Sequence, residues 1–337
     1  MAVQGGLGKA FRLSIKSSLV KRVDSPSHAG FEKASVILGR THRELIVSKQ
    51  QLGKASRIHL VKMNREQRTQ GLCFASRPFV LCGLAVRALP AGQLMYEKRN
   101  GQFVLQITGH PKFGVPFGQD RIVPIFLATL AVQQKSQAIR FRSAGEMLET
   151  FGMHKGGTEY RRLVAAFERI FGATIFFGTD QLRGTARMVQ HSRFNFLREA
   201  QLWYNKRPDH PVLSDEFENV IVLSNEFYQE ITAHPIPPDL DAVRTLAASP
   251  AVLDLFMWLS YRCFAAKTEE SIPIFGVLGL AAQLGNIEYA RPRRFREKLE
   301  SWLDVINAMW PECPARISKS GDYLLIGPAA ALTGRGA

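Results

Sequence analysis

Residues 158–171 read TEYRRLVAAFERIF, and the spacing within them sets the fold class. Tyr160, Leu163, Val164, Phe167, Ile170 and Phe171 recur at three- and four-residue intervals, which places them on one helical stripe. Thr158, Arg161, Arg162 and Arg169 are left on the opposite face. An apolar, helix-like stretch at 144–151 precedes this segment, and His154-Lys155-Gly156-Gly157 breaks the chain between the two. Two strand-like runs follow, 173–177 and 187–196, joined by polar residues that carry Arg183 and Arg187. Helix, tight turn, basic helix, β-hairpin is the order of a winged helix-turn-helix. In that arrangement the second helix enters a DNA major groove and the hairpin lies along the backbone.

Working outward, the same order recurs towards the C-terminus. Ser249-Pro250 supplies a cap and a first-turn proline for a helix to about 266, carrying Leu253, Phe256, Met257, Trp258, Leu259 and Phe264 as its core face. A short strand at 272–274, a helix at 276–284 and a turn at Gly285-Asn286 come next. The helix at 291–307 buries Phe295, Leu299, Trp302, Leu303 and Ile306, and its first turns carry Arg291, Arg293, Arg294, Arg296 and Lys298. A hairpin closes the unit, with Lys319-Ser320-Gly321 between 315–318 and 323–326.

The chain of 337 residues carries a formal net charge of +15, which favours a polyanionic partner, nucleic acid before an anionic membrane surface. Residues 1–78 hold 15 Lys/Arg against 4 Asp/Glu, so they supply 11 of that surplus. The longest apolar run, 122–132, is too short to span a bilayer and contains Pro124. The N-terminus has no apolar h-region of a secretory signal. Cys73, Cys82, Cys263 and Cys313 show neither CxxC pairing nor zinc-finger spacing, so they read as reduced structural thiols of a cytoplasmic protein, with no metal.

The expected organisation is α+β: two winged helix-turn-helix domains in tandem behind a basic, largely disordered N-terminal arm. The arm is placed at 1–70 with room for a short helix, the first domain at 71–205, a proline-bearing linker at 206–217, the second domain at 218–328 and a frayed tail at 329–337. Within the first domain, Asn100-Gly101 signals a two-residue hairpin turn, 121–132 a helix buried on all sides, and Ser143 with Glu146 a capping box. In the second, 220–223 reads as a strand and Ser224 caps a helix at 225–232 that three prolines end.

Early residues of a recognition helix touch bases, and arginine suits them because its planar fork bonds guanine O6 and N7 together. Arg291, Arg293, Arg294, Arg161 and Arg162 are therefore the base-reading candidates, and Arg296, Lys298, Arg169, Arg183, Arg187 and Lys319 the phosphate candidates. An exposed arginine is ordinarily solvated or paired with a carboxylate four residues away, here Glu297 or Glu300. Five cations in eight positions at a helix N-terminus oppose the macrodipole, and an anionic partner accounts for them. HExxH, GxSxG and Walker A patterns are missing, no His-x-His pair is present, and Gly5–Ala10 lacks the spacing of a phosphate loop. The expectation is a non-enzyme without cofactor that binds double-stranded DNA.

Three segments resemble the plasmid replication initiators of the RepA type. Gly114-Val115-Pro116-Phe117-Gly118-Gln119-Asp120-Arg121 is similar to that family's G-(L/V)-P-(Y/F)-G-x-x-R. Gly156-Gly157, the arginine-bearing helix and Ile170-Phe171-Gly172-Ala173-Thr174-Ile175 resemble its TGG…RL…ATI, with His154-Lys155 replacing the usual residues before the glycines. Val222–Tyr228, then His234-Pro235-Ile236-Pro237, then Ser249-Pro250 and Leu253–Arg262 are similar to LSxxFYxxI…HPxP…SPLALDxYxWLxYR. The resemblance spans about residues 80 to 327. It implies an initiator that binds repeated origin sites (iterons), helps open the duplex, recruits host replication initiator and helicase proteins, and represses its own promoter as a homodimer. A winged-helix transcriptional repressor without initiator role is the nearest alternative; a nicking enzyme and a non-specific packaging protein are more distant ones.

Overall fold

In the computed structural model the described residues are 49–183, 186–203, 217–276, 279–284 and 292–330; the side chains of 49–52, 180–192 and 292 lie outside that description. The expectations for 1–48, for 204–216 and for the tail beyond 330 fall outside it. The described residues from 53 onward pack as one compact unit of mixed α and β structure.

Helix α1 (Lys49–Glu66) docks through Val61, buried in the core. Asn64 donates to Asp241 at 3.0 Å and Arg65 to Asp239 at 3.3 Å. Helix α2 (Arg77–Cys82) starts at Pro78 in its first turn, a signal the sequence reading passed over. Strands β1 (Met95–Asn100) and β2 (Phe103–Thr108) form the expected hairpin, with the turn displaced by one residue to Gly101-Gln102. The cause is Asn100, whose side chain turns inward and donates to the Leu81 carbonyl at 2.6 Å, leaving Gly101 to take the positive φ of 59°.

A 3-10 turn, Gly118–Arg121, leads into α3 (Ile122–Gln134), which is buried on nearly every side as its unbroken apolar run requires. Its Thr129 hydroxyl donates to the Ile125 carbonyl at 2.6 Å and accepts from the Phe74 amide at 2.9 Å, so no polar group is stranded there. Then come β3 (Ala138–Phe141), α4 (Ala144–Thr150) and α5 (Gly157–Gly172). Ser143 caps α4 by accepting from the Glu146 amide, and the Glu146 carboxylate reaches the Arg142 amide instead of closing the expected box on Ser143. Phe126, Phe141 and Phe167 join α3, β3 and α5 in one aromatic cluster, with ring centroids 5.6 and 6.2 Å apart. Burying each such ring stabilises the packing by about 1.5–3 kcal/mol.

Strands β4 (Thr174–Arg183) and β5 (Ala186–Asn195) form a long hairpin that continues the first sheet in the order β1-β2-β4-β5. The chain then bends at once into β6 (Leu197–Gln201), which pairs with β7 (Asn219–Leu223), and β7 pairs with β3. The β3-β7-β6 sheet thus joins chain from both sides of 206–217. Strand β3 does not pair with the β4–β5 hairpin that follows α5.

Ser224 caps α6 (Asn225–Ala233) as its sequence indicates. Helix α7 (Leu240–Leu246) had no counterpart in the sequence reading; Asp239, just past three prolines, caps it by accepting from the Asp241 and Ala242 amides. Helix α8 (Pro250–Ala265) buries Leu253, Phe256, Trp258 and Leu259. Phe264, expected in that core, lies on the outer face of the last turn and is 60% exposed. Strand β8 (Glu270–Pro273), α9 (Leu280–Leu284), α10 (Pro292–Met309), β9 (Arg316–Ile317) and β10 (Tyr323–Ile326) complete the fold, with sheet order β8-β10-β9.

Two buried charges tie the halves together. Arg121, after the 3-10 turn, grips Asp254 of α8 with Nε to Oδ1 at 2.7 Å and Nη2 to Oδ2 at 2.9 Å, and also donates to the Gly118 and Leu84 carbonyls. Burial pushes the Asp254 carboxyl above the usual carboxylate range, against the pull of Arg121 and Lys98. Burial likewise pushes Lys98 down, with Asp254 opposing it.

Candidate nucleic-acid interface

Gly156, with an extended backbone (φ −113°), is the N-cap of helix α5, which carries Glu159 in its first turn, where the macrodipole favours a carboxylate. Leu163, Val164, Phe167 and Ile170 are buried, so Arg161 and Arg162 stand exposed on the outer face with no ion pair among the described residues. Just ahead, Lys155 bonds Glu149 at 2.9 Å; that bond holds the Glu149 carboxyl below its usual range and lifts Lys155.

Arg169 is placed differently from the phosphate role expected of it. Its guanidinium makes two bonds to the buried Asp120 carboxylate, at 2.6 and 2.8 Å, and lies 4.7 Å over the Phe117 ring. The charge is neutralised inside the fold, where it fastens α5 to the 3-10 turn. Asp120, three residues beyond Phe117, was the signal in the sequence. Arg169→Ala is therefore expected to lower stability by about 3–5 kcal/mol, through the unpaired Asp120, in thermal or urea unfolding without DNA. A variant that keeps the parent midpoint and loses only DNA affinity returns Arg169 to the phosphate set.

On α10, Phe295, Leu299, Trp302, Leu303 and Ile306 are buried, which turns Arg293, Arg294 and Lys298 outward. Arg293 is 90% exposed and bonds Glu297 at 3.0 Å, an i,i+4 pair on the surface that is worth little and exchanges readily for another anion. Arg294 and Lys298 form no ion pair among the described residues. Arg296 turns towards the hairpin: it reaches Asp322 at 3.5 Å, sits 5.5 Å from the Phe275 ring and packs on Gly321, where a Cβ would lie 3.1 Å from its Nε. It braces the β9–β10 turn against α10, and its charge is shared with Asp322. Arg291 lies outside the described residues.

The β9–β10 turn holds Lys319 exposed, with no ion pair among the described residues. The turn is shaped locally: Gly321 takes φ 76°, and the Ser318 hydroxyl accepts from the Tyr323 amide at 3.2 Å. In the other hairpin, Arg183 and Arg187 sit at the paired tip of β4 and β5, where Arg183 faces Ala186 and Arg187 faces Leu182; their side chains lie outside the described residues. Each half thus gathers a basic helix and a hairpin. Exposed Arg193, 5.4 Å over the Phe176 ring on the β4–β5 ribbon, joins the first set; its alternation with the buried Phe194 and Phe196 was the signal in the sequence.

Residues 115–272 match the family model described as plasmid encoded RepA protein. That segment is a RepA-type plasmid replication initiator domain. It runs from the Val115-Pro116-Phe117 approach to α3 through both β-hairpin strands and α8 to β8, so it holds α5 whole and stops before α10. No curated protein sequence matches the chain. Among solved structures, domains 2 and 3 of RctB (selenomethionine derivative) are similar in fold to this chain, with a TM-score of 0.52 and 13% identity over 76% of this chain and all of that one. A second RctB domains 2-3 structure aligns with a TM-score of 0.46 and 13% identity over 72% of this chain and 92% of that one. No described helix is long and apolar enough to cross a membrane.

Proposed function

We propose that this chain is a sequence-specific duplex-DNA binder that initiates plasmid replication at repeated origin sites, using α10 and α5 as recognition helices. The observation that carries the reading is the β8-β10-β9 sheet beside α8, α9 and α10. A first strand paired with the return strand of a hairpin that follows the third helix is the winged-helix arrangement, and it leaves the N-terminal turns of α10 and the Lys319 turn on the surface. The first half repeats the helix order, but β3 lies in the β3-β7-β6 sheet, apart from the β1-β2-β4-β5 sheet that holds the hairpin after α5. In this reading it is a winged helix whose hairpin is built into a sheet of its own with β1 and β2.

In this reading Arg294 and Arg293, with Arg161 and Arg162, face base edges, while Lys298 and Lys319 hold phosphates. The protein contributes binding and distortion of the duplex and catalyses no bond cleavage; duplex opening, recruitment of host initiator and helicase proteins and autorepression as a dimer belong to the same proposal. Arg294→Ala is expected to cost about 1–3 kcal/mol on the proper site and to relax one base position, read by competition binding. Lys319→Ala is expected to weaken binding to every sequence alike and to reduce the salt slope by about 0.9. If the two variants behave alike, the division into base readers and phosphate clamps is wrong.

Single-strand-specific probing of the supercoiled origin tests the initiator role. The expected result is unpaired bases in an AT-rich neighbour of the bound repeats. Occupied repeats without any unpaired neighbour make the chain a repressor, and a nicked product formed with Mg²⁺ contradicts the non-enzymatic reading.

A further inference from the structure

A cavity of about 330 Å³ opens where the ends of α1, α2, α6, α8 and α10 meet. That volume lies in the range of small-molecule sites, which pair apolar walls with a few convergent polar groups. Ile236, Tyr261 and Trp310 supply the apolar wall, and the Phe264 ring left out of the α8 core lines the cavity as well. The charged residues in the wall are Arg65 and Arg77; no Asp or Glu lines it among the described residues.

Both guanidinium groups have donors to spare. The Arg65 side chain is 8% exposed, lies 4.8 Å over the Trp310 ring and makes a single hydrogen bond among the described residues, Nη1 to Asp239 at 3.3 Å. A guanidinium carries five N–H donors, and a buried one is expected to use most of them. Burial pulls Arg65 below its ordinary range, with Asp239 opposing, so its charge is short of compensation where it sits. Arg77 spends Nε and Nη2 on Glu230, at 3.1 and 3.2 Å, and its Nη1 makes no hydrogen bond among the described residues. Asp239 and Glu230 balance the two cations from outside the wall. The cavity therefore suits an apolar body with one negative charge and is poorly matched to a polyanion such as a nucleic-acid backbone.

We infer that this cavity binds a small amphipathic carboxylic acid, with its apolar body against Tyr261, Phe264 and Trp310 and its carboxylate on the Arg77 and Arg65 guanidinium groups. The planar forks of arginine match a carboxylate, and the apolar walls that exclude water strengthen those bonds. The occupant would bridge the start of α2 and the ends of α8 and α10, which belong to different halves of the chain. The inference does not depend on the DNA reading, and its test contains no DNA.

Full-length protein is titrated with 3-phenylpropionate, 3-phenylpropanamide and propionate by ligand-observed NMR, at about 0.3 M salt to screen exposed cations. One saturable site is expected for 3-phenylpropionate. Binding at least about tenfold weaker is expected for the amide, which lacks the charge, and for propionate, which lacks the ring. Arg77→Gln is expected to erase most of the advantage of the acid over the amide. Ala233→Trp, which fills the cavity from an exposed position at the end of α6, is expected to abolish binding of the acid and to keep the parent unfolding midpoint. The inference is overturned if acid and amide bind alike or if the acid does not saturate. It is equally overturned if Ala233→Trp binds the acid as the parent does, because the anion then sits elsewhere on this basic chain. The parent titrations and Ala233→Trp decide should Arg77→Gln fail to fold.

Discussion

Asp254→Ala is expected to destabilise the protein by about 3–5 kcal/mol, because it leaves the Arg121 guanidinium buried without its anion. Arg121 is 4% exposed, and Asp254 takes two of its donors. The remaining carbonyl partners at Gly118 and Leu84 satisfy hydrogen bonds and cannot balance a full charge. Arg121→Ala should cost a comparable amount, and the double variant much less than the sum, since neither charge is then stranded. Urea unfolding of the two single variants and the double variant measures this; strictly additive losses would show that the pair does not couple the halves. The loss should fall on both halves at once, because the bond runs from the approach to α3 to the middle of α8.

Trp258→Ala is expected to lose about 3–5 kcal/mol through a cavity in the α8 core, with no preference among DNA sequences in whatever binding survives. Trp258 is 1% exposed, and its ring faces the Arg262 guanidinium at 5.6 Å. Its indole nitrogen is buried with no hydrogen-bond acceptor, so Trp258→Phe forfeits volume but no hydrogen bond and should cost far less than the alanine change. Thermal unfolding of the pair of variants checks both statements. Equal losses for Phe and Ala would contradict the cavity account.

Where burial follows a repeating period, the sequence was readable. Helix α3 is apolar at nearly every position, and α5 and α10 carry unbroken stripes, so their extents and inner faces follow from residue type. Long-range pairing left no such trace. Nothing in Leu197–Gln201 says that it leaves the β5 sheet and joins β7 across more than 15 residues of intervening chain. Helix α7 was hidden because three prolines argue against helix until Asp239 is recognised as a cap. Among the site residues, exposure was predictable for Arg161, Arg162, Arg293 and Arg294, which fall opposite apolar stripes. The partner of each cation was not, since Asp120 lies 49 positions from Arg169 and Asp322 lies 26 from Arg296. Charge alone marks a candidate; the fold decides which charges remain available to a phosphate or a base.

Competition binding of the intact chain to a duplex carrying the origin repeats, against the same duplex with the repeats scrambled, tests the central claim most directly. The account predicts a preference of roughly 10³ or more for the repeats at physiological salt, reduced by Arg294→Ala and unchanged by Lys319→Ala. Equal affinity for the two duplexes, falling in parallel as salt is raised, would contradict it and leave only a basic protein that holds any DNA.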